Sequence, residues 1–549
     1  MKFFKIFLIA LLSSSAVEAQ ILEYTKIDSL DLEGMEQVLT DFGVPPGFIN
    51  VRFPIDFYRV RYMSRHPQND EPIEASGAIA IPRGVTCEMP LASYQHGTVS
   101  AKSNVPSFNN FEANIGKIFA GSGYVVCMPD YIGLGTSPGL HPYVHARSEA
   151  DAALDLLRAA RQLQDSLGFN LNNQLFIFGY SQGGHATMAL HKEIEEQYPF
   201  EFEVTMSAPM SGPYDLSGVQ AEVIIQDEIY PTPGYLPYVV FAYQSVYGNF
   251  YDELSDVFLP PYDTSLLPLF DGMVSMADIN AAVPAIPNTI LVPELLDDFI
   301  SNPDNVLRTT LALNDVYDWV PQAPVRIMYC NADDQVGYLN SVKTYDKFIE
   351  NGALDVEYYD FGPFNHNGCV QFCLLAAYSL FEERKDIRED LTLSADIGDA
   401  VSPGFQNGSI EIMANGGELP YVYSWSVANE NGPNINGLSS GTYSLVMYDA
   451  QNCYIDTSFD VTSTLNLPNL NSDQLAVFPN PAMDFVKISL PEKAQVSIFT
   501  LDGKLIYRAS AQNDKIMHVN TSLFNAGYYH VQVQKNNQVI LTKQLIISR

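Results

Sequence analysis

From residue 55 to about 380 the chain alternates short apolar, β-rich runs with amphipathic helical patterns, and this alternation constrains the fold more than any other feature. The runs are FYRVRYM, ASGAIAIP, PLASYQHG, YVVCMPDY, QLFIFGYS, FEVTMSAP, VRIMYCNA and VEYYDFGP. Between several of them lie segments such as SEADAALDLLRAARQLQDSL, whose apolar residues recur at three and four. Strands separated by helices imply a mostly parallel sheet covered on both faces. The first two runs are linked by HPQNDEPIE, which suits a hairpin and hence an antiparallel edge.

Two regions break the rhythm. Residues 215–320 are rich in Tyr, Phe, Leu and Pro, and read equally as a helical insertion with its own core and as a cap over a pocket for an acyl or aromatic group. After about 390 helical patterns vanish, and Gly, Asn, Ser and Thr flank alternating strands. This part divides at a polar linker, STLNLPNLNSDQ, into two segments, 389–465 and 473–549, each the size of a small β-sandwich.

The first residues, MKFFKIFLIALLSSSAVEAQ, place two lysines before a short apolar run and a small-residue cleavage site. This is the pattern of a secretory signal peptide, residues 1–19, and the run is too short to span a bilayer. No later segment is apolar for long enough to cross a membrane. The 29 basic and 64 acidic residues leave a formal charge of −35, which repels phosphate backbones and excludes nucleic acid as an expected partner. Six cysteines are too few for a disulfide scaffold, and no metal-ligand spacing occurs. Cys87 with Cys127 is the expected disulfide, since both flank strands of one sheet; Cys369 and Cys373, four apart on a helix, are poorly placed for one.

The pattern Gly-x-Ser-x-Gly occurs three times, around Ser137, Ser181 and Ser439. A nucleophilic serine of this kind needs a strand ending in a strained turn, with a helix directly behind it. Only Ser181 has all of these: the apolar run QLFIF before it, the small residues Gly179, Gly183 and Gly184 around it, and HATMALHKEIEEQY after it. Ser137 continues into Pro138-Gly139, and Ser439 feeds a strand, so both are expected in turns.

A serine hydroxyl needs a base, and the base needs an orienting carboxylate; on this architecture they follow in the order Ser, acid, His. Between His191 and His518 the only histidine is His366, which elimination makes the base. The acid falls in NADDQVGYLNS, where Asp333 is favoured and Asp334 is the fallback. Donors for the oxyanion are expected from the Gln182 backbone N–H and from the loop Gln95-His96-Gly97-Thr98. Thr98 N–H is the second donor, Gly97 lets the backbone approach, and His96 shapes the loop. Gln182 is expected to matter through its backbone more than its side chain.

YQHGT, GYVVCMPDYIGLGTS, HPYVHARSEADAALDLLRAAR and FGYSQGGHA together resemble the secretory-lipase branch of the α/β-hydrolases over about 55–380. The resemblance implies an α/β-hydrolase catalytic domain over 20–388 and ester hydrolysis through an acyl-enzyme. It implies no cofactor, with Ser181 as nucleophile, Asp333 as acid and His366 as base. Gly337 departs from it, standing where such families often carry Pro. The middle segment resembles an SprB-type repeat through GSIEI, PYVYSW and GLSSGTYSLVMYDAQNC, but lacks the early cysteine that commonly pairs with the last one, here Cys453. VFPNPAMDFVKI, DGKLIY and AGYYHVQV are similar to the type IX secretion C-terminal sorting domain of Bacteroidetes. The implied protein is secreted or surface-held, engages the type IX machinery, and acts on an ester or lipid. A serine peptidase on the same fold, or an adhesin with a vestigial hydrolase domain, are the alternatives.

Overall fold

The computed structural model describes residues 20–548 except 86, 386–390, 403, 418, 428–429, 451–452, 464–475, 491–492, 512–514 and 537. The expected signal peptide and the linker from Thr464 onward lie outside the described residues. Contacts divide the chain into two compact units, one holding everything up to Leu391 together with 417–420 and 448–454, the other the remainder.

The first unit is built on a nine-stranded sheet. Its strands are β1 (Ile21–Leu30), β2 (Ile55–Arg65), β3 (Pro72–Pro82), β4 (Glu88–Gln95), β5 (Val125–Pro129), β6 (Asn170–Tyr180), β7 (Met206–Met210), β8 (Val325–Tyr329) and β9 (Val356–Asp360), in the order β1-β2-β3-β5-β4-β6-β7-β8-β9. β1, β2, β3 and β5 pair antiparallel, and from β5 onward every pairing is parallel. All eight apolar runs became strands. β1 is an addition at the edge: mostly exposed, it carries no alternation to betray it. β5, β7 and β8 are buried at every residue, as strands covered on both faces must be.

Helices α1 (Leu32–Phe42), α2 (Ala113–Gly121), α3 (Ala146–Leu167) and α4 (Gln182–Gln197) lie between the strands. α3 starts where the His145 side chain accepts the Ser148 N–H and stops at Gly168, whose φ of 70° is left-handed. Between β7 and β8 the chain leaves the sheet for α5 (Ala221–Ile225), α6 (Tyr235–Tyr247), α7 (Tyr262–Ser265), α8 (Met276–Ala282), α9 (Pro293–Ser301) and α10 (Val306–Ala312). These pack around a core of their own that includes Phe241, Phe258, Phe270 and Ile290. α11 (Leu339–Glu350) and α12 (His366–Arg384) follow β8 and β9.

Beyond Leu391 the described residues form no helix. Two three-stranded sheets occupy 392–461, then a three-stranded and a four-stranded sheet occupy 477–547. The last pair encloses Val486, Ile488, Val496, Ile498, Val531 and Leu545, the inward residues of alternating strands.

The expected Cys87–Cys127 disulfide does not form. Cys127 aligns with Ser93 in the β4–β5 register. Cys87 lies six residues before Ser93, roughly 20 Å along the strand direction. Cys87 instead pairs with Cys453, and Cys330 pairs with Cys369, while Cys127 is a buried free thiol. Cys369 and Cys373 stand 3.6 Å apart with no disulfide between them, the Cys373 thiol donating to Cys369 Sγ.

Candidate active site

Ser181 sits at the junction of β6 and α4 with φ 62° and ψ −124°, a left-handed backbone that a non-glycine residue adopts only under constraint. Its N–H donates to Met210 O at 2.9 Å, which ties the turn to the next strand. A side chain at Gly179 would strike Gly183 O, one at Gly183 would strike Gln95 O, and one at Gly184 would strike Met210 O. Small residues are therefore demanded by the close approach of three backbones. Ser137 lies in a loop, its N–H donating to Leu134 O, and the Ser439 carbonyl accepts from Tyr443 OH. Neither stands where a strand passes directly into a helix.

The Asp333-Asp334 turn and the start of α12 meet. Asp333 Oδ2 lies 2.7 Å from His366 Nδ1, and the two side chains are 1% and 5% exposed. Asp333 Oδ1 accepts the backbone N–H groups of Gln335 and Val336 at 3.0 and 2.9 Å, so the turn fixes the carboxylate. Asp334 is exposed and accepts the His366 backbone N–H at 3.1 Å. The adjacent carboxylates thus hold the imidazole and its backbone separately. The Cys330–Cys369 disulfide joins the end of β8 to the first turn of α12, bracketing this pair. Tyr180, next to Ser181, donates its hydroxyl to His366 O at 2.6 Å.

The loop after β4 passes beside the elbow. A carbon added at Gly97 would stand 3.7 Å from Tyr180 O and 4.0 Å from Ser181 Cβ, so the backbone approaches closely there. The Gly97 N–H is already donated to Glu112 Oε2 at 3.0 Å. Among the described residues the Thr98 and Gln182 N–H groups have no partner. His96 lies under the loop, with Nδ1 2.7 Å from Gly97 O and its ring 4.4 Å from that of Tyr131.

The Gln182 side chain is engaged as well. It is buried, and Nε2 donates to His141 Nε2 at 2.8 Å and to Glu149 Oε1 at 2.7 Å. Burial pushes the His141 imidazole down to about 3; it is neutral, its Nδ1–H donating to Ile132 O. Glu149 Oε2 lies 2.7 Å from His185 Nδ1, and His185 Nε2 lies 2.9 Å from Asn314 O. Both His185 nitrogens face acceptors, which favours the doubly protonated ring. Burial lowers its affinity for the second proton, but the charge and hydrogen bond of Glu149, with Asn314 O and Asp315, together outweigh burial and raise the pKa above its ordinary value. The sequence offered one signal: Glu149 lies on the apolar stripe of α3, in step with Ala153, Leu156 and Ala160.

The 215–320 insertion reaches both sides of this region. Tyr230 OH donates to Gln335 O at 2.7 Å, and Tyr235 OH lies 3.3 Å from Gln335 Oε1. Tyr143 OH lies 3.0 Å from Thr98 Oγ1 and its ring stacks on Tyr238 at 4.5 Å. At Gly337 a side chain would meet Val223 of the insertion at 2.9 Å.

Residues 115–371 match the secretory lipase family, and residues 476–548 match the secretion system C-terminal sorting domain. The chain carries a secretory-lipase segment and a sorting tail. A rice cell wall degrading esterase, LipA from Xanthomonas oryzae, is 29% identical; the match covers 67% of this chain and 99% of LipA, with a TM-score of 0.61. A putative hydrolase from Legionella pneumophila is 27% identical over 67% of this chain and 98% of its own, with a TM-score of 0.61. Candida antarctica lipase A in its closed state, 14% identical with a TM-score of 0.52 over 66% of this chain and 81% of its own, shares the fold. The ulvan lyase NLR42 of Nonlabens ulvanivorans is 27% identical over 134 residues, 23% of this chain and 25% of that relative's length. The secretory-lipase segment has the α/β-hydrolase fold and stands among the lipase and esterase hydrolases. With its sorting tail, the protein is secreted or carried at the cell surface.

Proposed function

We propose that this protein hydrolyses carboxylic esters through an acyl-enzyme on Ser181, with His366 as base and Asp333 as the carboxylate that orients it. The observation supporting this reading is the 2.7 Å pairing of His366 Nδ1 with a buried Asp333, linked by the hydrogen bond from Tyr180 to His366 O to the residue before a serine in a strained strand-to-helix turn. Ser181 Oγ attacks the ester carbonyl as His366 Nε2 takes its proton. The tetrahedral oxyanion accepts hydrogen bonds from the Gln182 and Thr98 N–H groups, aided by the N-terminus of α4. His366 then protonates the leaving alkoxide, and water repeats the sequence to release the acid. No step needs a cofactor.

Gly97 serves the oxyanion loop by its lack of a side chain, since its N–H is held by Glu112. Residues 1–19 act as the export signal, 389–465 as an SprB-type repeat, and 476–548 as the address for type IX secretion. The test is hydrolysis of short- and long-chain p-nitrophenyl esters by the native protein and by Ser181→Ala. Native turnover with loss in the variant is expected; equal rates would end the proposal. Acetylated and feruloylated plant polysaccharides belong in the substrate panel, because LipA is a rice cell wall degrading esterase.

A further inference from the structure

Glu112 places a carboxylate where ester hydrolysis has no use for one. It stands at the start of α2, and its Oε2 accepts the Tyr94 hydroxyl at 2.8 Å and the Gly97 N–H at 3.0 Å. The position a β-carbon would take at Gly97 lies 3.5 Å from Glu112 Oε1 and 4.0 Å from Ser181 Cβ. Carboxylate and serine therefore border one small space. Among the described residues Oε1 takes no hydrogen bond and no cation pairs with Glu112, which is half-buried. A fixed negative charge beside a forming oxyanion opposes the reaction electrostatically. A glutamine here would accept the same two hydrogen bonds and bring no charge. The loop's geometry does not account for the charge.

We propose that Glu112 sets substrate selectivity: it disfavours esters bearing a carboxylate near the scissile bond and favours those presenting a cationic or hydroxyl group to Oε1. The inference rests on Ser181 being the nucleophile. Two unit charges about 7 Å apart at an effective dielectric constant of about 30 alter a rate roughly tenfold. Unlike a loop-holding role, this predicts that the effect follows the sign of the substrate's charge and weakens with salt.

The experiment compares kcat/KM of the exported protein for p-nitrophenyl butyrate, its hemiglutarate analogue and its 4-(trimethylammonio)butyrate analogue, at low salt and at about 0.5 M salt. The native protein should disfavour the anionic ester about tenfold relative to the neutral one and favour the cationic ester. Glu112→Gln should bring the three within about twofold, Glu112→Asp should keep the bias, and Glu33→Gln on the exposed face of α1 should leave it unchanged. An anionic-to-neutral ratio equal in the native protein and Glu112→Gln would overturn the inference while ester hydrolysis stood. Loss of the bias in Glu112→Asp as complete as in Glu112→Gln would also overturn it, assigning Glu112 to loop geometry alone. Native protein inert toward all three esters would remove the premise and the inference together.

Discussion

Replacing Glu149 by Ala should damage this protein more than removing any exposed carboxylate. Glu149 is fully buried, and each of its oxygens has one partner: Gln182 Nε2 on one, His185 Nδ1 on the other. The substitution leaves a buried imidazolium facing only Asn314 O and strips Gln182 of an acceptor. Breaking one side of a buried ion pair costs about 3–5 kcal/mol. For a unit of this size that lowers the melting temperature by roughly 4–6 °C. Because Gln182 also carries the proposed oxyanion N–H, kcat should fall about tenfold while KM moves little. Glu149→Gln keeps the shape and should lose only about 1–2 kcal/mol.

The pH dependence follows in sign. The His185 pKa is raised in the fold, burial being outweighed by Glu149, Asn314 and Asp315 together. Its stabilisation is fully present below the unfolded value of about 6.5 and is lost as pH rises through the folded value. Melting curves of native protein and Glu149→Gln should therefore lie furthest apart near pH 6 and converge on the alkaline side. Glu149→Ala melting with the native protein and keeping its activity within about twofold would refute the reasoning.

The remaining predictions concern the acid, the disulfide and the insertion. Asp333→Asn should lower kcat about 10⁴-fold and Asp334→Asn less than about tenfold, read by ester assay; comparable losses would mean the imidazole leans on both. Cys330→Ser with Cys369→Ser opens a link between residues 39 apart, worth about 4 kcal/mol by loop entropy, and should lower both melting temperature and activity. Unchanged activity would show that the hydrogen bonds alone hold Asp333 and His366 in place. The insertion encloses an apolar cavity lined by Leu236, Val240, Leu291, Leu296, Phe299 and Leu311. If it receives acyl chains, Val240→Trp should shift the chain-length profile toward short esters without altering butyrate turnover.

The sheet was legible because covered strands need near-continuous apolar runs, and eight of its nine strands, the six that pair in parallel and antiparallel β2 and β3, could be read. The elbow was legible for a related reason: three glycines beside a strand end leave few other arrangements. Asp333 and His366 followed from chain order and from the scarcity of histidines. The edge strand β1 escaped because an exposed strand need not alternate. Glu149 escaped because α3 packs between other elements and buries polar residues that look solvent-facing in sequence; His141, in the loop before α3, and His185, on α4, are buried too. The disulfides were misjudged because strand register, invisible in the sequence, carries Cys87 away from Cys127, and because Cys453, its actual partner, lies 366 residues away in sequence. Glu112 was passed over because a single acid before a helix gives no hint of what its carboxylate faces.

Covalent labelling by a fluorophosphonate tests the central claim most directly, because the probe reacts only with an activated serine. The account predicts stoichiometric labelling of the native protein, with the adduct on the peptide containing Ser181, and none in Ser181→Ala or His366→Ala. Labelling at another serine, or native protein that stays unlabelled while folded, would contradict it.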